Sequence, residues 1–179
     1  AGRQFSSQSQ GLGGLVSAYA GAAATIFAIT QAFDALNRAA QAEQTVNGVN
    51  ALATAIGESG PLILKNLQEI TKGQLSIAES AKAANLALSS GFSGQQIEEL
   101  AAIATKASRA LGVPLSNAFE RLTRGVVKLE PELLDELGIF TRIEPAAERF
   151  AAQVGKVASQ LSNFEKRQAF ANAVAEDGA

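Results

Sequence analysis

Gly14-Leu-Val-Ser-Ala-Tyr-Ala-Gly-Ala-Ala-Ala-Thr-Ile-Phe-Ala-Ile-Thr-Gln-Ala-Phe33 opens a run that continues to Leu88. Steps of four and three residues along it meet Gly14, Ala18, Gly21, Thr25, Ala28, Ala32, Ala35, Ala39, Ala42, Val46, Val49, Ala53, Ile56, Gly60, Ile63, Leu67, Ile70, Gln74, Ile77, Ala81, Ala84 and Leu88. A stripe with this spacing is the sequence mark of helices packed side by side about a shared axis. Between Gly14 and Leu88, 23 residues are charged or are Ser, Asn or Gln. Random placement would put about seven of them on the stripe, and only Gln74 falls there. The pattern predicts an oligomer seam at Gly14, Ala18, Gly21, Thr25, Ala28, Ala32, Ile63, Leu67, Ile70, Gln74 and Ile77. Gln74 is the polar seam residue expected to fix register.

The start of the run is apolar to an unusual degree. No charged residue occurs from Gln4 to Phe33. As a helix, Leu12 to Phe33 is long enough to cross a hydrocarbon core of roughly 30 Å. Its small-residue stripe would let helix backbones approach closely, as they do in membranes. Beside that stripe lie bulkier residues, Leu12, Leu15, Tyr19, Ile26, Phe27, Ile29 and Phe33, the candidates for membrane activity. Two readings follow, a helix buried inside a protein assembly or a segment that enters a membrane. They are compatible if the environment changes during the protein's working life.

Composition narrows the chemistry. The chain has 179 residues, a net charge of −2 and no Met, Cys or His. Without Met, a fragment or processed product is expected. Only Arg3, Asp34, Arg38 and Glu43 are charged among residues 1–57, and the net charge offers no basic footprint for specific nucleic-acid binding. Lacking Cys, the chain has no disulfide framework or thiolate metal site. Ala1 to Gln10 does not resemble the start of a cleavable signal peptide.

Breaks and caps divide the chain into 1–57, a Gly/Ala-rich apolar helix; 58–91, a second coiled-coil-like helix; and 92–179, a small helical bundle. The first helix is expected from about Leu12 to about Ala42. Gly57-Glu-Ser-Gly-Pro61 is the clearest break, with Ser59 or Gly60 as cap and Pro61 in the first turn of a long helix reaching Ser89. Phe92-Ser-Gly-Gln-Gln-Ile97 is a helix start: Ser93 with Gln96 makes a capping box, and Phe92 with Ile97 a staple. Ile97, Leu100, Ala101, Ala104, Ala107 and Leu111 then share a face. Gly112 stops that helix and Pro114 opens the next, whose inner face is Leu115, Ala118, Phe119, Leu122, Val126 and Leu129. Pro131 starts a short helix with Leu133, Leu134 and Leu137, closed by Gly138. Pro145 starts another, with Phe150, Ala151, Val154, Val157 and Leu161 inward. Ser162 with Glu165 is a second capping box, before a last helix holding Phe170 and Val174. The fold class read from this is all-α: long apolar or coiled-coil helices, then a small bundle of short helices, in a symmetric homo-oligomer.

No catalytic constellation is legible. The commonest general base and the thiol nucleophile are both missing. No nucleophile elbow or phosphate loop occurs; after Gly11 and Gly13, Val16 takes the third glycine position of a dinucleotide fingerprint. Glu98 with Glu99, and Asp135 with Glu136, read as solvated helix faces. Glu120 and Arg124 read as an ordinary i,i+4 pair. No enzymatic activity and no cofactor or metal are expected.

Two stretches carry a family resemblance. They are Arg121-Leu-Thr-Arg-Gly-Val-Val-Lys-Leu-Glu-Pro-Glu-Leu-Leu-Asp-Glu-Leu-Gly-Ile139 and Leu161-Ser-Asn-Phe-Glu-Lys-Arg-Gln-Ala-Phe-Ala-Asn-Ala-Val174. Both resemble tape measure proteins of long-tailed bacteriophages. The more specific part is Leu129, Glu130, Pro131, Leu133, Leu134, Asp135, Leu137 and Gly138. The apolar upstream helix is similar to that family's hydrophobic segment. The particle could equally be a gene transfer agent or a phage-derived tail. The resemblance implies a structural protein of the virion, in the tail tube lumen or at the tail tip. Such a protein sets tail length and is released to help the genome cross the host envelope. Implied partners are other copies of the chain (three as first choice, six as second), tail tube and tail tip or baseplate hub proteins, and the host membrane after release. Alternatives are a pore-forming or membrane-inserting helical domain, toxin-like in action, and a purely structural coiled-coil adaptor.

Overall fold

Serine caps set four of the helix starts in the computed structural model, which describes Gln31, Ala35 and residues 37–178. By its internal contacts the chain divides into two units, 1–42 and 43–179. Among the described residues of the second unit every regular element is helical. The elements are α1 (43–55 within this unit), α2 (Gly60–Ile70), α3 (Ile77–Ser89), α4 (Gly94–Leu111), α5 (Leu115–Lys128), α6 (Pro131–Asp135), α7 (Ile143–Gln153), a 3-10 turn (Ala158–Gln160) and α8 (Asn163–Gly178).

Each cap satisfies backbone donors that a helix start leaves orphaned. Ser59 Oγ accepts from the Leu62 N–H, with Pro61 in the first turn of α2. At α4, Ser93 and Gln96 form the expected capping box. Ser162 and Glu165 do the same at α8. Gly112 ends α4 in the left-handed region at φ +67°, and Pro114 opens α5. Gly60 sits at a close approach between helices. A Cβ there would collide with the backbone of Asn50, so glycine sets how closely α2 approaches α1.

The expected long helix from Pro61 to Ser89 is instead two helices. Lys72 and Gly73 both take positive φ, 51° and 70°, and the Gly73 N–H closes on the Gln68 carbonyl. Ser76 and Glu79 then form a capping box that restarts the helix as α3. The heptad stripe is therefore folded back on itself. Ile63 and Leu67 are buried in the chain's own core, with Val49, Ala53, Ala81, Ala84 and Leu88, and Ile70 packs at its edge. Gln74 lies exposed in the turn, and Ile77 is 56% exposed. Nor do 58–91 and 92–178 separate into two bodies. One hydrophobic core runs from Val49 to Val174, with α2 on α4 and α3 on α5.

After Phe92 the expected faces are largely the buried ones. Phe92, Ile97, Leu100, Phe119, Leu122, Val126, Leu134, Phe170 and Val174 are all within the core. Three outward exceptions correct the sequence reading. Leu111 is exposed in the last turn of α4. Val154 and Val157 are exposed because α7 ends at Gln153 and the chain reverses at Gly155, where the Lys156 N–H returns to the Ala151 carbonyl. Leu161 does turn inward, onto a satellite cluster with Ala147 and Ala151.

Glu165 couples this fold to pH. Its carboxylate accepts from Lys156 Nζ and from the Ser162 N–H, and these partners hold its pKa at about 2, below the ordinary 4.5. A depressed carboxylate contributes stability that is present above the unfolded pKa and lost as pH falls through the folded one. Glu165→Gln keeps an acceptor at the cap but removes the ion pair. In urea titrations the variant is expected to be less stable than wild type at pH 7. The difference should narrow as pH falls below about 4.5 and vanish near 2.

Candidate interaction surface

The stretch Arg121 to Ile139 builds a locked reversal of the chain. α5 ends at Leu129, which adopts a left-handed conformation (φ 58°, ψ 47°) that few residues with a Cβ tolerate. The Glu130 N–H returns to the Gly125 carbonyl at 2.8 Å, closing the helix end. Pro131 then starts α6, a single turn that drives Leu134 into the core. Leu134 lies directly over Gly125: a Cβ on residue 125 would overlap the Leu134 side chain and press on the Glu130 carbonyl. The Leu137 and Ile139 N–H groups both return to the Leu134 carbonyl, at 2.8 and 3.0 Å. Gly138 turns the chain at φ +74°.

Charges clasp the outside of this reversal. Arg142 donates to both oxygens of Asp135, at 2.7 and 3.1 Å, and that carboxylate raises the guanidinium pKa. Arg121 pairs with Glu136 across α5 and α6. Thr141 Oγ1 donates to Asp177 Oδ2 at 2.7 Å, tying the following loop to the end of α8. Glu98, read as a solvated carboxylate, accepts from Asn66 of α2 at 2.7 Å. The motif residues thus do packing and turn work; Glu98, Asp135 and Glu136 are engaged with other elements, while Glu99 is exposed and accepts from Gln95 of its own helix.

A groove of about 550 Å³ lies between α3 and α5. Leu75, Ala83 and Phe119 give it an apolar lining with Leu86, and Thr123 lies among them. Its rim carries Glu79, Lys82, Glu120, Arg124 and Lys128. The pair expected between Glu120 and Arg124 is replaced by one across helices: Lys82 Nζ lies 3.2 Å from both Glu120 oxygens. Glu79 is held by Ser76, whose backbone N–H and hydroxyl lower its pKa. The sequence reading did not find this groove. The available signal was the four-residue spacing of Glu120, Arg124 and Lys128, a polar edge beside the apolar face of α5.

Gly14, Ala18, Gly21, Thr25, Ala28 and Ala32 of the expected seam lie outside the described residues. So do Leu12, Leu15, Tyr19, Ile26, Phe27, Ile29 and Phe33. Among the described residues no helix is long and apolar enough to cross a membrane, and no acidic cluster has the make-up of a metal site. No family model matches the chain, and no solved structure matches it significantly.

The contact between Gly125 and Leu134 makes a directional prediction. Gly125→Ala should destabilise by about 1–3 kcal/mol, the usual range for overpacking. Leu134→Ala should cost about 2–5 kcal/mol through the cavity it leaves. In the double variant the added methyl occupies part of that cavity, so the combined loss should fall below the sum of the two. Urea denaturation of the four proteins measures the coupling.

Proposed function

We propose that this chain is part of a tape measure protein of a long-tailed phage, gene transfer agent or phage-derived tail. One observation supports the reading above the rest. The two stretches that carry the resemblance, separated in sequence, fold onto one another. α5 packs on α8, and Phe170 and Val174 share a core with Leu122 and Val126. A motif whose residues lock a helical reversal suits a structural protein, and the work proposed for it needs no catalysis.

On this reading the helical unit of residues 43–178 is a folded station on a long, tube-filling chain. Copies of the chain associate as trimers, or failing that hexamers. Because Ile63 and Leu67 are used inside the chain's own core, the seam between copies is assigned to Gly14, Ala18, Gly21, Thr25, Ala28 and Ala32. The tail tube and the tail tip or baseplate hub are the protein partners. Leu12 to Phe33 meets the host envelope after release, where its small residues let copies associate.

Tail length is the test. In-frame deletions in the intact gene, made outside the region encoding residues 43–178, should shorten tails by about 1.5 Å per residue removed, the helical rise. Tails of unchanged length would refute the reading. A peptide spanning Leu12 to Phe33 should also release dye from liposomes, and Ala24→Arg with Phe27→Asp should suppress that release. Dye release without any effect of deletions on tail length would favour the pore-forming alternative.

A further inference from the structure

The groove between α3 and α5 has a composition that specifies what fits it. Its lining includes Leu75, Ala83 and Phe119, all buried, and Leu86, which is partly exposed. Thr123 lies in the same lining and is 1% exposed, yet its hydroxyl has no hydrogen-bond partner. The contrast with other threonines is direct. Thr54, Thr71 and Thr105 each donate to the carbonyl four residues back, at 2.7, 2.7 and 2.8 Å. A buried hydroxyl without a partner is a group that folding alone leaves unsatisfied.

The rim adds a sign. On the α5 side Glu120 is paired with Lys82; Glu79, which keeps its charge, sits on the α3 side and accepts at the cap. Arg124 and Lys128 stand one turn apart on the exposed edge of α5. Among the described residues, no ion pair involves either. The groove therefore offers an apolar floor and a cationic flank.

We propose that this groove docks an amphipathic helix of another protein, with large aliphatic or aromatic anchors on one face and carboxylates along the flank facing α5. Two helices already form the trough, so a third completes a three-helix layer, the helix-in-groove mode of recognition. Its anchors fill the space over Ala83, and its carboxylates meet Arg124 and Lys128. The proposal does not depend on the tape measure reading.

The test is selection from a displayed library of helical peptides, with an apolar face fixed and both flanks randomised between Glu, Lys, Gln and Ser. The whole chain is the bait. Peptides carrying Glu along one flank should be enriched. Ala83→Trp, which fills the trough, should abolish their binding. The paired surface changes Arg124→Glu and Lys128→Glu leave the core alone, and they should weaken acidic peptides by about tenfold or more while favouring lysine-flanked ones. Thermal melts confirm that each variant is folded. Enrichment without charge preference, equal binding to Ala83→Trp, or no enrichment at all would overturn the proposal.

Discussion

The burial of one face of α5 is the interaction on which the rest of the unit depends. Leu115, Ala118, Phe119, Leu122 and Val126 recur at helical spacing and are all buried. The helix they line packs on α3, α4, α6 and α8. Burying large apolar side chains is the dominant favourable contribution to folding a chain with no cysteine, and truncating one such as Phe119 to Ala typically costs about 3–5 kcal/mol. The neighbouring elements serve this helix. Pro114 starts it, Leu129 ends it, and Gly125 lets Leu134 cover its last turns.

Legibility in the sequence followed the range of the interactions. Local devices were readable because their chemistry lies within a few residues: the capping boxes at Ser93 and Ser162, the stop at Gly112, the starts at Pro61 and Pro131. Apolar faces at helical spacing after Phe92 were readable for the same reason. The heptad stripe departs from the structure at Ile63 and Leu67, which lie in the chain's own core, and again beyond Ile70. Spacing of four and three is blind to direction, so a stripe that continues past Lys72 and Gly73 reads as one helix when the chain has turned. Helices folded against each other within one chain and helices of separate chains bury the same kinds of residue. The second capping signal, Ser76 with Glu79, was there to be read and would have exposed the turn.

The groove between α3 and α5 was beyond sequence reading for a different reason. It is made by residues on two helices about 40 positions apart, and which of them share a rim depends on how those helices cross. The spacing of Glu120 and Arg124 suggested a local pair, whereas Lys82 reaches Glu120 from the facing helix. Exposed pairs of this kind contribute little to stability. The pair also leaves Arg124 and Lys128, farther along α5, outside any ion pair among the described residues.

If α5 organises a single core, the unit should open as one body. Native-state hydrogen exchange on the whole chain tests this directly, residue by residue. The amides of Phe119, Leu122 and Val126 should exchange only through global unfolding. Those of Leu67 in α2 and Phe170 in α8 should share the same free energy and the same denaturant dependence. Exchange of α2 and α3 at a distinctly lower free energy than α4, α5 and α8 would contradict it, because the first helices would then be an appendage to the core.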